Sequence, residues 1–283
     1  MSPLINWEEL RQMTSPPMPP PNPNAKPGAN MFDTDESADM YNRIAKMEKI
    51  YTLNQLNCFE TTKNDTVLDI GCGPGRISVP MAQRAKSVTS LDSSPRMLKH
   101  CQRNADEAGV KNLKTIQMDW KDAVLGNNLE QHDIVIASRS VGAQDIKKVS
   151  SFARKFVVVI AWANAPNIPT VVGDLFVGVE QARRFQPMRI DRRIGYNLTY
   201  NTIYDMGFEP NVRVVVDGFT RDFTSREEAY QDLWQLNKIQ GDISQVFCRN
   251  VDKWLTNNKN GGVTFRRETR SFVIWWDPNP VSY

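Results

Sequence analysis

The sequence predicts an α/β fold built on a mostly parallel sheet. Two observations carry the prediction. Val67-Leu68-Asp69-Ile70 reads as a buried strand and passes through Gly71-Cys72-Gly73-Pro74-Gly75-Arg76 into a helical-looking stretch, residues 77–85. Val88-Thr89-Ser90-Leu91-Asp92 reads as a second strand, and the helix after it is capped by Ser93 or Ser94 with Pro95 in its first turn. Consecutive strands separated by a helix run parallel, because parallel strands need a crossover between them.

The glycine loop sets the expected chemistry. Glycine turns sharply and lets a ligand approach the backbone without a Cβ in the way. Such a loop also leads a helix N-terminus, whose unpaired N–H groups suit a carboxylate or phosphate. A nucleoside-bearing cofactor is the expected occupant. A dinucleotide site uses G-x-G-x-x-G, whereas this loop reads G-x-G-x-G and places Arg76 at the position of the third glycine.

Asp92 ends the second strand about one helix and one strand beyond the loop, a spacing that brings it back to the same sheet edge. A carboxylate there can accept both hydroxyls of a ribose. Met97, Leu98 and Cys101 form the apolar face of the next helix, and Gly109 ends it. Leu113–Gln117 reads as the third strand, followed by Met118-Asp119-Trp120, and residues 133–137 as the fourth, followed by Ser138-Arg139-Ser140.

The loop and the string Leu-Asp-Ser-Ser-Pro-Arg-Met-Leu (91–98) resemble motif I, (V/L)LDxGxGxG, and the D-x-S-x-x-M-L pattern of class I S-adenosylmethionine-dependent methyltransferases. The resemblance covers about residues 60–160. It implies a Rossmann-like sheet of seven strands with the last antiparallel, and S-adenosylmethionine as cofactor. It also implies that Asp69 and the loop residues Gly71, Cys72, Gly73 and Gly75 hold the amino-acid end, that Asp92 holds the ribose with Ser93 and Met97 among the cofactor-binding residues, and that Asp119 meets the adenine amino group. Trp120 reads either as a surface stacked on that ring or as a core tryptophan. Ser138 and Arg139 stand at the fourth strand end, where open α/β sheets place ligands. Ser138 is a cofactor-binding candidate, and Arg139 is a candidate to meet the cofactor carboxylate or an anionic substrate at the catalytic centre, beside the plainer readings of a helix cap or a pair with an acid. The chain lacks the (D/N)PP(Y/F) tetrapeptide of amino-methylating nucleic-acid enzymes and a Pro-Cys pair, which argues against both of those classes.

Composition narrows the rest. The 283 residues carry 35 basic and 32 acidic side chains, a net charge of +3 that marks no polyanion partner. The beginning of the sequence is polar and proline-rich, unlike a leader peptide, and no apolar run is long enough to span a membrane. Cys58, Cys72, Cys101 and Cys248 form no C-x-x-C pair and the only histidines are His100 and His132, so no metal site is expected and a cytoplasmic, reducing setting is.

Residues 1–35 read as a proline-rich arm that Trp7 and Leu10 could anchor, and residues 36–283 as the methyltransferase domain. A helix after Asp35 or Ser37 carries Met40, Ile44, Met47 and Tyr51, with Tyr41 or Tyr51 in reach of a cofactor. The fifth strand is expected over 156–161, the sixth over 212–216 and the last over 271–276. Insertions near 162–194 and 217–270 are expected to form a helical lid, the second containing helices that open at Thr224 or Ser225 and at Asp242. Tyr196, Tyr200 and Tyr204 share a helical face. Tyr196 and Tyr200 are therefore candidates to assist deprotonation, beside the bland reading of simple packing. Arg183, Arg184, Arg189, Arg192 and Arg193 read as a solvated face or an anion-recognising group.

The reading is a methyltransferase acting on a small molecule by in-line transfer, with a homodimer left open. The alternatives are an RNA- or protein-modifying methyltransferase, a non-catalytic cofactor-binding subunit, and a dinucleotide oxidoreductase.

Overall fold

A computed structural model describes residues 5–14, 34–163, 166–180, 182, 195–237 and 239–279. The chain begins with α1 (Trp7–Thr14), α2 (Asp35–Met47) and α3 (Lys49–Leu56). The first half of the sheet alternates as expected: β1 (Thr66–Ile70), α4 (Ser78–Ala82), β2 (Ser87–Asp92), α5 (Pro95–Glu107), β3 (Leu113–Gln117), β4 (His132–Ser138), α6 (Ile146–Ser151) and β5 (Ala153–Trp162). Then follow α7 (Ile168–Leu175), α8 (Gly195–Asp205), β6 (Asn211–Phe223), α9 (Arg226–Trp234), α10 (Gln245–Asp252), β7 (Leu255–Asn257) and β8 (Val263–Trp276).

Helix starts are set by caps. Ser94 Oγ accepts the Met97 N–H at the start of α5, and Gly109 just beyond that helix takes φ +68°. The helix expected to open at Asp242 starts instead at Gln245, because Ser244 Oγ accepts the Val246 N–H and supplies the cap. Ser225 caps α9, while the Glu228 carboxylate accepts the Thr224 N–H at 2.6 Å, closing a box of reciprocal bonds.

The sheet order is β3-β2-β1-β4-β5-β8-β6, with β7 paired to β8. The five strands from β3 to β5 are parallel, and β8 runs antiparallel to β5, β6 and β7. Among the described residues the sheet therefore has eight strands, one more than the expected seven. The extra strand, β7, has 3 residues and is too short to show a period. β6 and β8 are also longer than expected, at 13 and 14 residues, and most of 217–223 and 263–270 is their paired extension.

Alternate strand residues feed two cores. Leu68 and Ile70 join Val157, Val159 and the α6 and α8 side chains on one face, and Val67 joins Val158, Ile160, Leu56 and Met81 on the other. The long ends of β6 and β8 support a third core, in which Phe219 and Phe265 pack with α7, α9, α10 and with Ile44 and Met47 of α2. No described helix is long and apolar enough to cross a membrane.

Candidate active site

A cavity of about 470 Å³ opens at the carboxyl ends of the parallel strands. β1 contributes Gly71 and Gly73; β2 leads to Leu91, Asp92, Ser93 and, on α5, Met97; β3 leads to Met118, Asp119 and Trp120; β4 leads to Ser138, Arg139, Ser140, Val141 and Gln144. Tyr41 of α2 closes one side.

The sheet order places Asp92 beside the glycine loop. Its Oδ2 accepts the Gly73 N–H at 2.9 Å and its Oδ1 accepts the Ser94 N–H at 2.9 Å. The carboxylate has about four acceptor positions and so retains capacity for a further donor. Burial pushes the Asp92 carboxyl up, opposed by the N–H bonds from Ser94, Gly73 and Ser93. The other loop amides turn inward: Gly71 and Cys72 both donate to the Leu91 carbonyl, at 2.8 and 3.0 Å, and Gly75 donates to Cys72 at 3.0 Å. The expectation of unpaired loop N–H groups is thus not met at these four positions, because β2 and the turn itself use them.

Close packing explains two of the glycines. Gly71 adopts φ +68°, and a Cβ there would lie 2.6 Å from Ser140 Cβ. Gly75 adopts φ +87°, and a Cβ there would lie 2.8 Å from Cys101 Sγ.

This strand–loop–helix core matches the model of the methyltransferase domain over residues 67–161. The chain carries a class I methyltransferase domain. Over 263 residues it is 24% identical to an uncharacterized protein of Haemophilus influenzae, spanning 87% of this chain and 88% of that one. A 23S rRNA (uracil(1939)-C(5))-methyltransferase of Francisella tularensis subsp. novicida is 24% identical over 111 residues, 38% of this chain and 25% of that enzyme. Among solved structures, a chain in the complex between the Haloferax volcanii Trm112 methyltransferase activator and a candidate methyltransferase shares the fold, with a TM-score of 0.52. That likeness covers 89% of this chain and 98% of the other at 12% identity.

Within this methyltransferase fold, the sequence-predicted residues divide into two groups. Gly71, Gly73, Asp92, Ser93, Met97, Asp119, Trp120, Ser138 and Arg139 line the cavity. Asp119 caps the turn Trp120–Asp122 by accepting the Lys121 N–H, and it pairs with the Lys121 ammonium at 3.1 Å; the backbone bond and the ion pair hold its carboxyl below the usual range. Trp120 is only 5% exposed and belongs largely to the core, its ring 5.1 Å from that of Phe152. Its Nε1 is buried without a hydrogen-bond partner among the described residues.

Asp69, Cys72, Gly75, Tyr196 and Tyr200 are not among the lining residues. Asp69 is buried under the loop and accepts the Ser78 hydroxyl at 2.6 Å; burial pushes its carboxyl up to about 6 against that bond. Cys72 packs with Leu98 and Cys101, and the hydrogen bond with the Cys101 thiol, then burial, pushes its thiol up, unlike a nucleophile. Tyr196 and Tyr200 pack against the core beneath α8, Tyr196 with its ring 5.8 Å from Phe272, whereas Tyr204 is exposed. The arginine group at 183–193 and the prolines of the arm lie outside the described residues. Trp7 is described, and its Nε1 donates to Asp205 of α8 at 2.5 Å.

Sequence reasoning missed a buried charge cluster behind the cavity. Arg139 donates to Glu48 at 2.6 Å and to Asp217 at 2.7 Å, while Arg76 lies 3.4 Å from Glu48 and donates to Ser138 at 2.6 Å. Glu48 and Asp217 are 1% and 0% exposed. Val141 and Gln144 were missed as well, since no periodicity marks the turn that carries them. Tyr41, rather than Tyr51, is the α2–α3 tyrosine at the cavity; Tyr51 reaches Glu268. Burial, then the Glu48 charge, pushes the Tyr41 hydroxyl up, so it acts as a hydrogen-bonding phenol and not as a base at neutral pH.

Proposed function

We propose that the cavity binds S-adenosylmethionine and that the chain transfers its methyl group to a small-molecule acceptor. The observation that carries this reading is the Gly73–Asp92 contact at the carboxyl edge, which sets a carboxylate beside a close-approach loop. The site fits the cofactor in size, because about 470 Å³ falls within the ordinary range for small-molecule pockets. Two buried donors on its lining residues, Arg139 Nε and Trp120 Nε1, have no partner among the described residues, which suits a ligand rich in acceptors. Asp92 would hold the ribose hydroxyls, with Asp119, Met118 and Trp120 beside the base and Gly71, Ser138 and Arg139 beside the amino-acid end.

When bound, S-adenosylmethionine supplies a methyl group already activated by a sulfonium. The protein's task is then to exclude water and hold acceptor and donor in line, which can be worth about 7–11 kcal/mol. We take residues 36–283 as one unit in which α2, carrying Tyr41, and the third core around α7, α9 and α10 form the acceptor side. The modest net charge supports a small acceptor over a polyanion. All four cysteines are free, which supports a reducing, cytoplasmic setting.

Calorimetry of the full chain with S-adenosylmethionine, S-adenosylhomocysteine and NAD tests the cofactor. Binding of both sulfur compounds and not NAD is expected; binding of neither by a folded sample overturns the reading. Methyl incorporation from labelled donor into small-molecule fractions tests the acceptor. Binding and methylation of RNA with a steep salt dependence would refute the small-molecule class.

A further inference from the structure

Arg139 is the one described non-glycine residue with positive φ, at +54°. A left-handed backbone on an L-residue other than glycine costs about 1–2 kcal/mol and persists only where its surroundings hold it. Here they do so from four separate parts of the chain. One terminal nitrogen donates to Glu48 at the α2–α3 junction, and the other donates to Asp217 on β6 at 2.7 Å and to Ser271 on β8 at 3.4 Å. The guanidinium carbon sits over the Trp162 ring, 3.2 Å from its centroid. Asp217 is itself fixed by Gln55 at 2.7 Å and by the Ser271 hydroxyl.

Two properties of this arrangement bear on a ligand. Arg76 and Arg139 are balanced by Glu48 and Asp217, so the cluster presents no free charge to attract anions from solution. Both terminal nitrogens of Arg139 are also committed, which leaves Nε–H, buried and unpartnered among the described residues, on a side chain that lines the cavity and is 10% exposed. Burying four charges is a weak source of stability, since desolvation offsets most of the attraction. A fixed, directed donor is what the cluster does produce.

We propose that Glu48 and Asp217 are positioning residues that preset Arg139 so that its Nε–H binds the carboxylate of the cofactor's amino-acid end. The inference rests on the S-adenosylmethionine reading above. The sheet order supports the direction: across β3, β2, β1 and β4 the cavity passes from Asp119 to Asp92, then to the glycine loop, then to Arg139. A nucleoside anchored on Asp92 with its base toward β3 therefore extends its other end to the Ser138–Ser140 turn.

The test compares S-adenosylmethionine with its decarboxylated form, which keeps the adenosine, sulfonium and amine. Calorimetry is done on the full chain, the Asp217→Asn variant and the Glu48→Gln variant. The wild type is expected to bind the carboxylated compound about tenfold or more tightly than the decarboxylated one. Each variant should lose most of that preference while holding the decarboxylated compound as the wild type does. A wild type without the preference overturns the carboxylate contact and leaves the cofactor reading standing, and this comparison needs no variant to fold. Equal weakening of both compounds in folded variants, or retained preference, overturns the positioning role. Failure of the wild type to bind either compound removes the cofactor reading itself.

Discussion

The Gly73 amide and the Asp92 carboxylate meet at 2.9 Å, tying the glycine loop after β1 to the end of β2. One side chain thus shapes the loop and faces the cavity. Substituting Asp92 with Ala removes the acceptor for the loop amide and the proposed acceptor for the ribose together. The variant is expected to bind S-adenosylhomocysteine roughly ten- to a hundredfold more weakly, about 1.5–3 kcal/mol. Unchanged affinity in a folded variant would place the ribose elsewhere.

The two cavity-lining glycines of the loop should respond differently to a methyl group. At Gly71 a Cβ meets the Cβ of Ser140 at 2.6 Å, an atom fixed to its own backbone, whereas at Gly73 the nearest atom is Tyr41 Cε1 at 3.6 Å. Both positions have positive φ, at +68° and +55°, so both bear the backbone strain. Gly73→Ala should cost about 1 kcal/mol from that strain alone, and Gly71→Ala about 2–4 kcal/mol with the overlap added. Urea unfolding of both variants measures the difference; equal midpoints would contradict the packing described at Ser140.

Much of this was legible in the sequence, because it is local. Apolar runs marked β1 to β5, Ser94 and Pro95 announced α5, and the glycine spacing pointed to the loop. What escaped depends on contacts between distant positions. Glu48 and Arg139 are 91 residues apart, Arg139 and Asp217 are 78, and a charged residue in a sequence carries no sign that it will be buried in a pair. The α8 tyrosines show the same limit from the other side. Their spacing identifies a shared face, but only the tertiary packing on Phe272 says that Tyr196 turns to the core. The outer part of β8 was legible and missed: Val263 to Arg270 alternate buried and less buried positions, but Arg267 occupies an inward one, stacked over Trp254.

The contact between Trp7 and Asp205 docks α1 onto α8. A Trp7→Phe variant keeps an aromatic ring, though a smaller one, and deletes the donor, at a cost of about 1–2 kcal/mol confined to that docking. Hydrogen exchange should show faster exchange in α1, with the amides of β1 and β4 unaffected. Uniform acceleration across the sheet would show that α1 is part of the global unfolding unit.

Asp69, beneath the loop and outside the cavity lining, gives the molecule a pH dependence of its own. Burial raises its carboxyl to about 6, against the Ser78 bonds and the nearby Arg76 charge. A native pKa above the unfolded value of about 3.9 means that the folded state holds the proton more tightly. The associated stabilisation is complete below about pH 4 and is lost as pH rises through 6. Relative to Asp69→Asn, whose side chain does not titrate, the wild type should lose up to about 3 kcal/mol of unfolding free energy between pH 4 and 7. Paired urea titrations across that range isolate the residue, because the other carboxylates are common to both proteins. Parallel stability curves for the two would mean that Asp69 stays ionised beneath the loop, held by Ser78 and Arg76 more strongly than burial opposes it.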